Sequence, residues 1–155
     1  MKLSTRVRYG MRAMVELAKN PKDGPMPLRK LAQKQQLSMK YLEQLASSLK
    51  IAGLVESTRG AEGGYKLSKK PEDITAWDIY SALDITTVPT DCLNSECHRE
   101  KICACRNIWD DLHRSIAGVL KTYTLKKLAH SEKALLGNRP EEVVAACGKP
   151  KKKRR

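Results

Sequence analysis

The chain of 155 residues contains no phenylalanine, and only 5% of its residues are aromatic. Hydrophobic residues still make up 41%, so a core must be built from aliphatic side chains and methionine, and a disordered chain is excluded. No apolar run approaches the roughly 20 residues that a membrane-spanning helix needs. The N-terminal residues mix apolar with charged side chains, unlike an export signal. We therefore expect a cytoplasmic protein without a membrane partner.

The sequence also lacks the patterns of an enzyme. Its three histidines, His98, His113 and His130, lie in the C-terminal half, and no nucleophile motif accompanies them. The glycine-rich stretch 59–64 is predicted to join two strands, and it lacks the Lys-Ser/Thr ending and the following helix of a nucleotide-binding P-loop. We expect neither an active site nor a small-molecule substrate.

Acidic residues are scarce, because 17 Asp and Glu accompany 30 Lys and Arg, which gives a formal net charge of +13. Six of these charges belong to the terminal run after Gly148, and such runs are usually solvated tails. The rest of the chain still carries a net charge of +7. This excess predicts a polyanionic partner, since each Lys or Arg placed on a phosphate releases condensed counterions.

Apolar spacing divides residues 1–84 into three helices, a hairpin and a fourth helix. The first helix starts at Ser4, a short second helix follows, and the third is capped by Ser38 and ended by Gly53. Two short strands around the glycine-rich loop then form a wing, and Thr75 caps the closing helix. This order predicts a winged helix-turn-helix DNA-binding domain.

The rest of the chain divides into three segments. Residues 85–103 lack periodicity and carry most of the cysteines, so we expect a functional loop. Residues 104–130 are predicted to form one long helix whose apolar side chains recur at heptad spacing, namely Trp109, Leu112, Ile116, Val119 and Tyr123. A seam this narrow predicts a partner helix in a homodimer, the alternative being packing on its own domain. Residues 131–155 are expected to be a basic, disordered tail.

The predicted fold class is therefore mainly α with a small β-wing, a winged helix-turn-helix domain followed by a long C-terminal dimerisation helix. The third helix is the expected recognition helix, with its N-terminus in the major groove. Its apolar stripe leaves a polar face: Lys40, Tyr41, Glu43, Gln44, Ser47 and Ser48. A solvated helix face is the alternative interpretation of the same pattern.

Each polar side chain of that face suits a particular contact. Gln44 can pair with adenine, Glu43 can accept from the cytosine amino group, and Lys40 can reach guanine or phosphate. Ser38 can contact phosphate while it caps the helix. In the wing, Arg59 and the neighbouring Gly60 suit a narrow minor groove, where negative potential is enhanced.

Four of the five cysteines fall within 14 residues: Cys92, Cys97, Cys103 and Cys105, whereas Cys147 lies in the tail. Clustered thiols in a chain without an export signal predict a soft-metal site rather than disulfides. The paired C-x2-C spacing of structural zinc is missing, and iron-sulfur clusters accept the wider intervals found here. A zinc site and four free thiols remain as alternatives.

The sequence resembles the bacterial Rrf-two family of winged-helix repressors, which includes iron-sulfur cluster regulators. The resemblance covers about residues 1–130 and is carried by five segments: Met1-Lys2-Leu3-Ser4, Arg8-Tyr9-Gly10 with Ala13-Met14, Ser38-Met39-Lys40-Tyr41-Leu42-Glu43-Gln44-Leu45, Ala52-Gly53-Leu54-Val55, and Arg59-Gly60-Ala61-Glu62-Gly63-Gly64-Tyr65. It implies a homodimer with crossed C-terminal helices. It also implies a cluster bound through Cys92, Cys97 and Cys103, and DNA contacts from Ser38, Lys40, Tyr41, Glu43, Gln44 and Arg59.

The fourth cluster ligand departs from the family pattern. One branch has a histidine where this chain has Arg106, and another uses an aspartate where this chain has Arg8. Arginine cannot ligate iron, because it has no free acceptor atom. Cys105 is the expected replacement, with His98, Glu100 and His113 as weaker candidates. The resemblance favours a 2Fe-2S over a 4Fe-4S cluster.

The predicted function is that of a sequence-specific transcription regulator, a repressor, whose promoter choice follows a cluster that senses iron-sulfur, redox or nitric oxide status. Its partners would be a double-stranded DNA operator and a second copy of the chain. One alternative is a cluster-free or zinc-binding regulator of the same family that senses thiol or cysteine-metabolism status. Another, a small iron-sulfur electron carrier, leaves the recognition helix, the wing and the charge unexplained.

Overall fold

The computed structural model describes residues 3–20, 24–60, 63–84 and 88–137. Within these ranges the chain forms, in order, α1 (Thr5–Ala18), α2 (Leu28–Gln35), α3 (Met39–Ile51), β1 (Val55–Thr58), β2 (Gly64–Leu67), α4 (Ala76–Leu83), a 3-10 helix (Asp91–Leu93), α5 (Cys105–Thr122) and α6 (Leu125–Gly137).

Hydroxyl caps fix the start of three helices where the sequence predicts them. Ser4 caps α1, and Ser38 Oγ accepts the Tyr41 amide of α3 at 3.3 Å. At α4 the Asp78 amide donates to Thr75 Oγ1 at 3.2 Å, and the Thr75 amide donates back to the Asp78 carboxylate at 2.8 Å. These reciprocal bonds satisfy amides that would otherwise lack a partner at the helix start.

A tight turn joins α2 to α3, as in a helix-turn-helix. Only residues 36–38 separate the two helices. Gln36 adopts the left-handed region with φ of 54°, and the Leu37 amide donates to the Ala32 carbonyl at 3.0 Å. The turn lets α3 bury its predicted apolar stripe, namely Leu42, Leu45, Ala46 and Leu49.

One core lies beneath α3 and is closed by α1, α4 and the start of α6. Its largest fully buried side chains are Met14, Leu42, Leu45, Ile74, Ile79, Leu83 and Leu125. α1 approaches α4 closely at Gly10, where an added Cβ would lie 2.0 Å from Leu83 Cδ1. Aliphatic and methionine side chains thus supply most of the buried volume, as the lack of phenylalanine requires.

The predicted wing is an antiparallel hairpin in which Val55 pairs with Leu67 and Thr58 pairs with Gly64. Met26 adds two backbone hydrogen bonds to Tyr65, each of 2.9 Å, so the segment before α2 extends the hairpin. The wing therefore lies against the helix-turn-helix rather than projecting alone.

The predicted single helix over 104–130 is wrong, because two helices occupy this region. Tyr123 is extended (φ −99°, ψ 105°), and its carbonyl accepts the Ala76 amide at 2.7 Å. The Leu125 amide donates to the Ile74 carbonyl at 2.9 Å, and Thr124 pairs with Thr75 in an isolated bridge. Pairing with the start of α4 thus ends α5 and starts α6.

The tail prediction also needs correction, since residues 131–137 belong to α6. The remaining tail residues, with Cys147 and the terminal basic run, lie outside the described residues. The fold class itself is confirmed: a mainly helical chain with a small two-stranded antiparallel sheet in a winged helix-turn-helix arrangement. In the described ranges no helix is both long and apolar enough to span a bilayer.

Candidate functional site

The outer face of α3 carries most of the residues predicted to contact DNA. Lys40, Glu43, Gln44 and Ser47 are exposed, and Ser38 is exposed at the cap. The face combines a cation, an anion, an amide and hydroxyls, a donor and acceptor set that can contact base edges and phosphates.

Tyr41 and Ser48 differ from the predicted outward orientation. Tyr41 is half-buried, its ring meets the Tyr9 ring edge-on at 6.1 Å, and its buried hydroxyl has no hydrogen-bond partner among the described residues. Ser48 Oγ accepts from Arg6 Nη2 at 3.0 Å. Both positions border the apolar stripe, so packing against α1 draws them inward.

The wing tip holds Arg59 and Gly60, both exposed. Gly60 has φ of 112°, and its carbonyl accepts the Gly63 amide at 2.9 Å. A Cβ on Gly63 would lie 2.4 Å from the Thr58 carbonyl oxygen, so the hairpin closes only with glycine there. The tight turn presents Arg59 at the end of β1, next to residues 61 and 62, which lie outside the described ranges.

Two further cations lie on α2, the helix before α3. Arg29 and Lys30 of α2 are exposed. The first helix of a helix-turn-helix commonly crosses the phosphate backbone, where such side chains position the protein. The only sequence signal for these two side chains is their adjacency in the first turn of α2.

The cysteine loop, here residues 88–104, connects α4 to α5. Cys92, Cys97 and Cys103 are half-buried, Cys105 is exposed at the first residue of α5, and all four are free thiols. The Cys92 sulfur lies 3.1 Å from Thr90 Oγ1. Four unpaired thiols so close in sequence are a donor set that suits a soft metal or an iron-sulfur cluster.

Four thiols are a suitable donor set for an iron-sulfur cluster, but in this structure they do not form one group in space. Among the described residues, no group of three or more Cys, His, Asp or Glu side chains is positioned to hold a metal ion. Binding through Cys92, Cys97, Cys103 and Cys105 would therefore require the loop to draw together around the group.

The weaker candidates for the fourth cluster ligand are Glu100, His113 and His98, and two of them contact other side chains. Glu100 Oε1 lies 3.0 Å from Arg106 Nη2, and the His113 ring packs edge-on against Trp77 of α4 with 5.6 Å between centroids. His98 is exposed on the loop. Arg106 also donates to the Cys92 carbonyl at 2.6 Å, a contact that sequence analysis missed because it spans 14 residues.

The five residues of the predicted dimerisation seam differ in their exposure and position. Leu112 and Val119 are exposed, Trp109 and Ile116 are half-buried, and Tyr123 lies beyond the end of α5. Ile108 joins the exposed apolar side chains, with 60% of its surface accessible. The opposite side of α5 packs against α4, so one stripe of the helix is left open to solvent.

Comparison with known proteins finds similar sequences in one family of transcriptional regulators. The profile of the Rrf2 family, described as an iron-dependent transcriptional regulator, matches residues 3–131. The transcriptional regulator CymR of Bacillus subtilis is 44% identical over 129 residues, which cover 83% of this chain and 90% of that protein. The regulator IscR of Aliivibrio salmonicida is 39% identical over 129 residues, covering 83% and 77%.

Solved structures agree with these sequence matches. The structure of CymR, the global cysteine regulator of B. subtilis, superposes with a TM-score of 0.71 at 42% identity, covering 84% of this chain and 98% of that one. IscR from T. potens superposes with a TM-score of 0.70 at 35% identity, covering 91% and 93%. The named relatives are transcription regulators rather than enzymes.

Proposed function

This chain belongs to the Rrf2 family of transcriptional regulators, and from that membership we propose that it is a DNA-binding repressor whose promoter choice depends on an iron-sulfur cluster held by the cysteine loop. The observation that carries the proposal is the loop itself. It carries the free thiols of Cys92, Cys97 and Cys103, and it leads directly into Cys105 at the start of α5, so it connects the DNA-binding domain to α5.

Operator recognition is assigned to the exposed face of α3 and to the wing. Lys40 and Gln44 offer donors to base edges, and Arg59 offers a cation to the minor groove. Glu43 repels phosphate and is tolerated best where a cytosine amino group offsets the repulsion, so it discriminates between sequences.

Cofactor binding is assigned to Cys92, Cys97, Cys103 and Cys105, with 2Fe-2S favoured over 4Fe-4S. A bound cluster would supply a redox- and nitric oxide-sensitive group whose potential depends on its ligands and hydrogen bonds. The four cysteines provide the thiolate ligands of the cluster. The cysteine loop becomes more ordered when it holds a ligand.

Coupling to DNA follows from how α5 is anchored. Just beyond its far end, Tyr123 and Leu125 are hydrogen-bonded to Ala76 and Ile74 at the start of α4. At its near end, α5 begins directly after the cysteine loop. A change in loop order therefore biases the orientation of α5 relative to the recognition helix.

We assign α5 to a homodimer interface, through its exposed stripe of Ile108, Leu112 and Val119. Burial of such a stripe against a second copy removes apolar surface from water. Two recognition helices would then address successive major grooves of one operator.

A second candidate is a regulator of thiol or cysteine-metabolism status that holds no cluster. It is favoured by the dispersed arrangement of the four thiols and by similarity to CymR, named a cysteine regulator. Zinc bound by the same cysteines is a variant of this candidate.

Anaerobic purification followed by a visible absorption spectrum and by iron and sulfide analysis separates the candidates. A coloured protein with about two irons and about two sulfides per chain is the expected result for 2Fe-2S. Colourless protein with stoichiometric zinc, or with no metal and reactive thiols at Cys92, Cys97, Cys103 and Cys105, would replace the proposal by the second candidate.

A further inference from the structure

Arg106 connects the cysteine loop to α5 at two points. Its Nη1 donates to the carbonyl oxygen of Cys92 at 2.6 Å, across 14 residues of chain. Its Nη2 lies 3.0 Å from Oε1 of Glu100. The Arg106 side chain is itself half-buried, with 26% of its surface accessible. One guanidinium thus holds two separate parts of the loop.

The loop's backbone hydrogen bonds are short in range, and most fall in two regions of turns, residues 90–95 and 97–102. In the first turn, the amides of Asn94 and Ser95 donate to the Asp91 carbonyl at 2.9 and 3.1 Å. In the second, the Glu100 amide donates to the Cys97 carbonyl at 2.9 Å. Arg106 bridges these turns, because Cys92 lies in the first and Glu100 in the second.

We propose that Arg106 is the positioning residue of the cysteine loop, holding it folded against the start of α5 when no metal is bound. Guanidinium suits this role, since its fixed fork of N–H donors can serve two acceptors at once and it never loses its charge. The inference rests on the proposed function only in treating the loop as a cofactor loop. A prefolded loop would limit the rearrangement that is needed to bring the thiols together when the cofactor arrives.

The test uses the full-length, metal-free protein. Alkylation of Cys92 by iodoacetamide and amide hydrogen exchange of the loop are followed by mass spectrometry. R106Q should speed Cys92 alkylation about tenfold, the order expected when one hydrogen bond from a charged donor is lost. Exchange in residues 88–104 should rise while exchange in α1 and α3 stays unchanged.

A charge-conserving variant and a matched control identify the cause of the change. R106K keeps the charge but has a single ammonium, so it should restore part of the protection. R114Q is the matched control, because Arg114 lies on the same helix and pairs with half-buried Asp110 and exposed Asp111.

Wild-type alkylation and exchange in R106Q would overturn the inference, as would equal opening of the loop in R114Q. If R106Q fails to fold, E100Q removes the ion pair alone and should give a smaller increase in loop exchange. Absence of that increase would also count against Arg106. Iron analysis of the wild-type protein tests the proposed function separately. If the wild-type protein is coloured but R106Q leaves alkylation and exchange of the metal-free loop unchanged, this inference is refuted and the proposed function stands.

Discussion

Glu16 anchors two helices to α1, and its neutralisation should destabilise the whole domain. Its carboxylate contacts Lys34 of α2 at 2.5 Å and Lys19 at 2.6 Å, and Lys19 continues to Glu132 of α6 at 2.6 Å. Only 7% of the Glu16 side chain is accessible, whereas 46% of Lys34 is. One buried carboxylate therefore joins α2, α1 and α6.

Burial raises the pKa of Glu16, but hydrogen bonds and charges from Lys19 and Lys34 outweigh it and hold the pKa below its ordinary value. A carboxyl group with a depressed folded-state pKa contributes stability above its unfolded pKa of about 4. That contribution is lost as the pH falls through the lower, folded-state value.

The substitution Glu16→Gln tests this. Breaking a buried ion pair costs about 3–5 kcal/mol, and an exposed pair contributes about 0–1 kcal/mol. Because glutamine keeps one acceptor and the lysines partly reach solvent, we expect a loss of about 2 kcal/mol at pH 7. Urea unfolding should show the difference in unfolding free energy from wild type narrowing as the pH falls below about 4.

A matched control is available in the wing. Glu56→Gln removes an exposed pair with Lys66 at 3.3 Å and should cost at most about 0.5 kcal/mol at every pH. If Glu16→Gln is no more destabilising than Glu56→Gln, or if its effect stays constant in acid, the network does not stabilise the fold as argued.

Three other substitutions, the last paired with a control, test the proposed assignments. Gly63→Ala places a Cβ against the Thr58 carbonyl, so urea unfolding should show a loss of about 1–3 kcal/mol and gel shifts should show weaker operator binding; unchanged binding would separate the wing from DNA. Leu112→Glu should convert dimers to folded monomers in sedimentation, and a persistent dimer would move the interface elsewhere. Cys105→Ala should lower iron content and Cys147→Ala should not; equal iron in both would remove Cys105 from the ligand set.

Features set by neighbouring residues could be predicted from the sequence. The caps at Ser38 and Thr75, the apolar stripe of α3 and the glycine-bounded hairpin each follow from a few adjacent positions, and each is present in the structure. Such local signals are reliable because the chain must satisfy the same hydrogen bonds in any fold that contains the element.

Features set by distant residues could not be predicted. The break at Tyr123 depends on pairing with Ala76, which no helical periodicity reveals. Tyr41 turns inward because Tyr9 of another helix receives its ring. The bond from Arg106 to Cys92 likewise depends on the path of the intervening loop.

The dependence of operator affinity on the cluster is the most direct test of the proposed function. Operators are selected from a random duplex library by the anaerobic protein, and their affinities are then compared for iron-loaded and iron-free forms of the same preparation. We expect at least one operator to change its dissociation constant by about tenfold or more, on the order of the coupling free energies typical of allosteric proteins. Equal affinities of both forms for every selected operator would contradict the account.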